Sequence, residues 1–216
     1  MRLSDQEAVD AIHVRLEPPG PTALSIAAGF WLDAEMYDRA AFAEDTSDLF
    51  KREAAIYEAL GSHPRILKCM GVELMPDGEE AWALRLERAP YGNLQEYIMK
   101  HEPPTMARRL QVTVDLTETL KYTHNSGVIW GDLLARNVLV FDDLHIQLYD
   151  FTGSTLKDKF PEILFACEPR YWVPGPQKDS GTKTIFEKDL FALGTAICEI
   201  TEWTVPYGLI EVEEVQ

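Results

Sequence analysis

Apolar residues at Phe42, Leu49, Phe50, Ile56, Tyr57 and Leu60 include spacings of three and four, which predicts a helix over roughly 42–60, ended by Gly61. Shorter apolar runs at 11–16 and 23–32 predict strands. Between them Glu17-Pro18-Pro19-Gly20-Pro21-Thr22 must be a turn or loop, because proline and glycine block regular structure. A second strand pair is expected at 66–74 and 81–88, joined by the turn Met75-Pro76-Asp77-Gly78. Asn93 opens a helix to about Lys100, and Thr105 caps a long one to about Asn125, where Gly127 stops it. Residues 138–141 and 146–149 flank Asp142-Asp143 as a hairpin. Residues 152–184 carry few periodic signals and read as a long loop of the functional or mobile kind. Thr184 and Glu187 form a capping box for a helix over about 186–202. Leu190, Phe191, Leu193, Ile197, Cys198 and Ile200 make that helix apolar nearly all round, which places it in a core. Strands early and helices late describe an α+β fold of two lobes.

Composition narrows the setting. At 216 residues, 46% hydrophobic and 26% charged, the chain can bury a real core as one domain or two small lobes. Its net charge of −16 disfavours nucleic acid and anionic membrane as partners. Cys69, Cys167 and Cys198 are odd in number and far apart, suggesting neither a zinc site nor a disulfide framework, and fitting a cytoplasmic or nuclear compartment. The N-terminus has no apolar core of a signal peptide, and no run of about 18 apolar residues predicts a membrane span.

The chemistry concentrates in Trp130-Gly131-Asp132-Leu133-Leu134-Ala135-Arg136-Asn137 and in Asp150-Phe151-Thr152-Gly153. Phosphoryl transfer needs one carboxylate to position a hydroxyl and two further oxygen ligands to hold Mg²⁺ on nucleotide phosphates. Asp132, Asn137 and Asp150 stand in that order at compatible spacing, with the hairpin between the last two. Taken singly, Asp132 and Asn137 also read as turn residues and Asp150 as a strand-end cap.

Together these motifs resemble the eukaryotic protein kinase family, the first as an imperfect His-Arg-Asp-Leu-x-x-x-Asn loop and the second as an imperfect Asp-Phe-Gly. The resemblance spans roughly 42–210 and implies a small β-rich lobe over 1–87 and a helical lobe over 88–216. It implies that Asp132 orients the attacking hydroxyl and that Asn137 and Asp150 ligate Mg²⁺. It implies that Leu86, Glu87 and Ala89 form the wall and hinge of an adenine pocket, that Asn93 meets the ribose, and that Leu139 packs under the base. Glu53 resembles the glutamate of the N-lobe helix, although alone it reads as a solvated helix residue. The stretch from Ile56 to Ile66 is similar to kinase-like domains common in filamentous fungi. Arg170-Tyr171-Trp172-Val173-Pro174 resembles the end of an activation segment, and Asp189 the buried aspartate that braces the catalytic loop. ATP, Mg²⁺ and a protein substrate are the implied cofactors and partners.

The chain departs from the pattern in several places. Before Gly61 only Gly20 and Gly29 occur, so there is no glycine-rich loop, and the first lysine is Lys51, on the same helix as Glu53. Arg15 and Arg39 are the substitutes considered for the missing strand lysine. Trp130 and Gly131 replace the His and Arg of the loop, and Trp130 is expected to pack against Phe151 and Tyr57 as apolar support. Without that Arg, no activating phosphorylation at Thr152, Ser154 or Thr155 is expected. Thr152 displaces the glycine of the second motif by one position, and Gly175 stands where the family has Glu. The chain ends soon after the 186–202 helix, so apolar surface is expected on that side. Two functional readings follow: an active protein kinase, and a pseudokinase serving as a nucleotide-binding or protein-interaction scaffold. A small-molecule phosphotransferase of the same fold is a third, less favoured by the Arg-Tyr-x-x-Pro segment.

Overall fold

The structure, a computed structural model, describes residues 14–16, 23–27, 39–74, 82–162, 171 and 185–206, with side chains described over 48–71, 84–162, 171 and 186–206. The 17–22 loop, the 75–78 turn, Thr184, Gly175 and the flanks of Tyr171 lie outside these residues, as do the side chains of Arg15 and Arg39.

Four antiparallel strands, β1 (Val14–Leu16), β2 (Ala23–Ala27), β3 (Cys69–Leu74) and β4 (Trp82–Glu87), form a sheet in the order β1-β2-β4-β3. Ser25 sits opposite Arg85 and Leu24 opposite Leu86, while a register shift between Cys69 and Gly71 interrupts the β3–β4 ladder. Helix α1 (Arg39–Leu60) packs on β3 and β4 and begins three residues before the apolar pattern starts at Phe42. It ends at Gly61, whose φ of +62° suits a residue without Cβ. Phe50, Ile56, Tyr57 and Leu60 of α1 are buried with Leu84 and Leu86 of β4. Each such side chain stabilises the fold by about 1.5–3 kcal/mol through removal from water.

The remainder is mostly helical. Asn93 caps α2 (Leu94–Lys100) by accepting from the Glu96 amide, and Thr105 caps α3 (Met106–Asn125) by accepting from the Arg108 amide. Both caps fall where the sequence predicts them. Val112, Leu116 and Leu120 form the buried stripe of α3, and Asp115 on the same helix pairs with Arg65 at 2.6 Å. Past Gly127, β5 (Val128–Ile129) leads to the Trp130–Asn137 motif. The predicted hairpin is present as β6 (Val138–Val140) and β7 (Ile146–Leu148), turning through Asp143 and Leu144 at positive φ.

The expectation of a plain loop from 152 onward needs correction at its start. Thr155–Leu156 forms a two-residue strand, β8, paired with β5. A pair this short leaves no periodicity to read. Helix α4 (Ile185–Glu202) packs against α3, but not as an all-round core helix. Ala192, Leu193, Ala196 and Ile200 are buried, whereas Phe186 and Leu190 are 42% and 46% exposed and Cys198 is exposed. Packing on one face leaves Phe186 and Leu190 on the other partly in solvent. Among the described residues no helix is long and apolar enough to cross a membrane.

Candidate active site

The loop between β5 and β6 is braced from below by Asp189, near the start of α4. Its carboxylate is 1% exposed and accepts from the Trp130 amide at 2.9 Å and the Gly131 amide at 2.7 Å, with His124 Nε2 2.8 Å away. A carboxylate out of water requires such donors, and those amides have no strand partner to give to instead. Gly131 has φ +79°, a conformation that any side chain would strain, so glycine at this position eases the turn that aims both amides at Asp189.

The turn Ala135–Asn137 carries Asn137 inward, to 3% exposure. Its amide nitrogen donates to the Asp132 carbonyl at 3.0 Å and to the Asp132 carboxylate at 2.9 Å. This fixes the Asp132 side chain and leaves the Asn137 carboxamide oxygen as the group able to meet a cation. The β6–β7 hairpin then returns the chain, so the Tyr149 amide donates to the Asn137 carbonyl at 3.2 Å and Asp150 follows directly. Sequence-distant residues of the predicted adenine pocket also meet here. Asn93 and Leu139 are bridge partners, and Leu86 lies in the core across from Cys69. Two of these groups are already engaged. The Asn93 carboxamide is held by Glu96 at both ends, and the Glu87 amide donates to the Lys68 carbonyl at 3.0 Å.

The second motif is held by α1. Asp150 adopts φ +60°, unusual for a residue with Cβ. Its carbonyl accepts from the Trp130 indole nitrogen at 2.9 Å, while the next amide, of Phe151, donates to Glu53 Oε1 at 3.0 Å. Glu53 is 4% exposed, because it sits on the same stripe as Phe50, Tyr57 and Leu60. The solvated-residue alternative for Glu53 is therefore wrong. Its other oxygen accepts from the Thr152 hydroxyl at 2.7 Å. Tyr57, Phe151 and Trp130 make an aromatic column, with ring centroids 5.2 Å apart for Tyr57–Phe151 and 5.8 Å for Trp130–Phe151. Burial first, then the nearby charge of Glu53, pushes the Tyr57 phenol well above its usual range, so it stays protonated. Trp130 thus supplies the expected apolar support and, beyond it, a hydrogen bond.

Sequence reasoning missed Arg52. Its guanidinium donates to the Ser154 carbonyl at 2.6 Å and to the Glu162 carbonyl, and lies 5.0 Å from the centre of the Phe160 ring. Adjacency to Glu53 is the only signal the sequence offers for it. Ser154 donates to the Trp130 carbonyl at 2.7 Å. Tyr171 is buried, donates to Glu199 of α4 at 2.5 Å and accepts from the Ala135 amide at 3.4 Å, linking the later segment to the catalytic loop. Lys51 is exposed and lies 3.3 Å from Asp48.

The arrangement offers hard oxygen donors: one carboxylate, one carboxamide oxygen, and the oriented carboxylate of Asp132. That set suits Mg²⁺, which takes one or two protein ligands and completes its shell with phosphates and water. Among the described residues no group of three or more His, Cys, Asp or Glu forms an all-protein metal cage.

The chain matches, over residues 36–216, the family described as protein tyrosine and serine/threonine kinase. It is 26% identical over 160 residues to the serine/threonine/tyrosine-protein kinase HT1 of Arabidopsis thaliana, covering 73% of this chain and 40% of that protein. It is 28% identical over 181 residues to the mouse tyrosine-protein kinase ABL2, covering 81% of this chain and 15% of that protein. It is 28% identical over 170 residues to the mitogen-activated protein kinase kinase kinase 20 of Arabidopsis thaliana, covering 72% of this chain and 48% of that protein. The chain thus spans less than half the length of each of these relatives.

Proposed function

Since the chain belongs to the protein tyrosine and serine/threonine kinase family, we propose that its site binds MgATP and transfers the γ-phosphoryl group to a hydroxyl of a protein substrate. The observation that carries this reading is the fixed relation of three groups. Asn137 orients the Asp132 carboxylate, and Trp130 and Glu53 pin the peptide that follows Asp150. In this mechanism Asp132 accepts or orients the proton of the attacking hydroxyl, and Asn137 and Asp150 present oxygens to the metal. Mg²⁺, when bound, neutralises charge on the transferring phosphates. Leu86 walls the adenine pocket, Leu139 lies beneath the base, and the backbone of Glu87 and Ala89 bonds its edge. Asn93 faces the ribose through a carboxamide already engaged in its cap.

The chain divides, in this reading, after Glu87 into a sheet-bearing lobe and a helical lobe, with the nucleotide at the join. It works in the cytoplasm, consistent with free Cys69 and Cys198 and a net charge of −16 that disfavours nucleic acid and anionic membrane. The second reading, a scaffold that binds nucleotide without transfer, draws its support from the absence of any lysine before Lys51.

Calorimetry with MgATP tests the first step. Binding that requires Mg²⁺ and is lost in Asp150→Ala is the expected result; no binding by a folded sample overturns it. Asp132→Asn then separates the readings. A kinase keeps binding in that variant and loses transfer, whereas a scaffold shows no transfer even in the wild type.

A further inference from the structure

Glu53 grips two consecutive residues with its two oxygens. Oε1 takes the Phe151 amide at 3.0 Å, and Oε2 takes the Thr152 hydroxyl at 2.7 Å. Both side chains are buried, at 4% and 5% exposure, so these are charge-assisted bonds formed away from water. The peptide unit between Asp150 and Phe151 is thereby held at its carbonyl by Trp130 and at its N–H by Glu53. Asp150 itself stands at φ +60°, a conformation that persists only where the surroundings over-determine it.

We propose that Thr152 is a positioning residue of this site. Its hydroxyl fixes the Glu53 carboxylate in the orientation that holds the Phe151 amide, and so keeps Asp150 in its left-handed conformation. In the related family this carboxylate is paired by a strand lysine. Here a hydroxyl from the turn itself takes one carboxylate oxygen. A glycine at position 152, as in an unaltered Asp-Phe-Gly, has no donor to offer. The link from this latch to metal binding rests on the nucleotide reading above; the latch itself does not.

Amide hydrogen exchange at Phe151, followed by NMR in the wild type, Thr152→Ser and Thr152→Val with and without MgATP, tests both. Serine keeps the hydroxyl, and valine keeps the shape without it. The expected result is exchange about tenfold faster at Phe151 in Thr152→Val, within about twofold of wild type in Thr152→Ser, and little changed at Leu120 in the core of α3. Three results would each overturn the latch: unchanged exchange at Phe151 in the valine variant, an equal rise in the serine variant, or an equal rise at Leu120. Should Thr152→Val not fold, Thr152→Ala carries the same comparison, since alanine removes the hydroxyl without freeing the backbone as glycine would. If Phe151 separates valine from serine but no protein responds to MgATP, the latch holds and the nucleotide reading fails. A slowing by MgATP that is weaker in the valine variant supports both.

Discussion

The indole N–H of Trp130 and the carbonyl of Asp150 lie 2.9 Å apart, joining the two chemical motifs of the chain across 20 residues. Replacing Trp130 by Phe keeps an aromatic ring against Phe151 and removes the donor together with one ring's volume from a fully buried side chain. The Asp150 carbonyl then loses that partner at a partly buried site. Expected destabilisation is about 1–3 kcal/mol, read by urea unfolding. A variant within about 0.3 kcal/mol of wild type would mean that the bond contributes nothing net.

Gly131 offers a second probe. Its φ of +79° lies in the left-handed region, and its amide feeds Asp189. Gly131→Ala is expected to lose about 1–2 kcal/mol, and Gly131→Asn less, because asparagine tolerates that region better. Equal stability for all three proteins would contradict the backbone argument.

Ser154 is 0% exposed and bonded to the Trp130 carbonyl, and Thr155 is 5% exposed. A charge introduced there enters the interior beside the Trp130 carbonyl, and the nearby Arg52 guanidinium is already engaged by the Ser154 and Glu162 carbonyls. Ser154→Glu is expected to destabilise the fold by more than about 3 kcal/mol and to give no gain in phosphotransfer. A phosphomimetic that raised activity without lowering the melting temperature would reverse the expectation drawn from Gly131 in the sequence.

His63 contributes a pH dependence near neutrality. Its ring stacks on Tyr122 at 4.1 Å and accepts from the Arg65 amide at 3.2 Å. Burial first, then the Arg65 charge, holds its pKa below the ordinary 6.5. The folded state therefore resists protonation more than the unfolded chain does. Its contribution is complete above about pH 6.5 and declines as pH falls through that value toward the lower folded one. Unfolding midpoints compared at about pH 7.5 and 5.5 should show a larger drop for wild type than for His63→Asn.

The sequence made the local elements legible because each has a local cause: the α2 and α3 caps, the glycine that ends α1, and the hairpin around Asp142-Asp143. Glu53 was legible only as a motif residue; alone it reads as solvated, and its place on the buried stripe of Phe50, Tyr57 and Leu60 emerges from the packing. What stayed hidden has no periodicity. The Arg52 bonds to the Ser154 and Glu162 carbonyls go to backbone, which no residue type announces. The Thr152 hydroxyl reads as a defect in a motif until Glu53 is seen opposite it. The pairing of β5 with β8 depends on where the tertiary fold sets two dipeptides side by side.

Glu53 meets Phe151 across 98 residues, and Arg52 meets Ser154 across 102. Closing loops of that size is entropically unfavourable until much of the intervening chain is in place. The joint between α1 and the Asp150–Gly153 turn is therefore expected to close late in folding, after α3 and the hairpin. Substitutions at Phe151 should then speed unfolding and leave the folding rate nearly unchanged, whereas changes at Leu116 should slow folding. A chain halted short of that closure would carry its helices and hairpin yet lack a working centre.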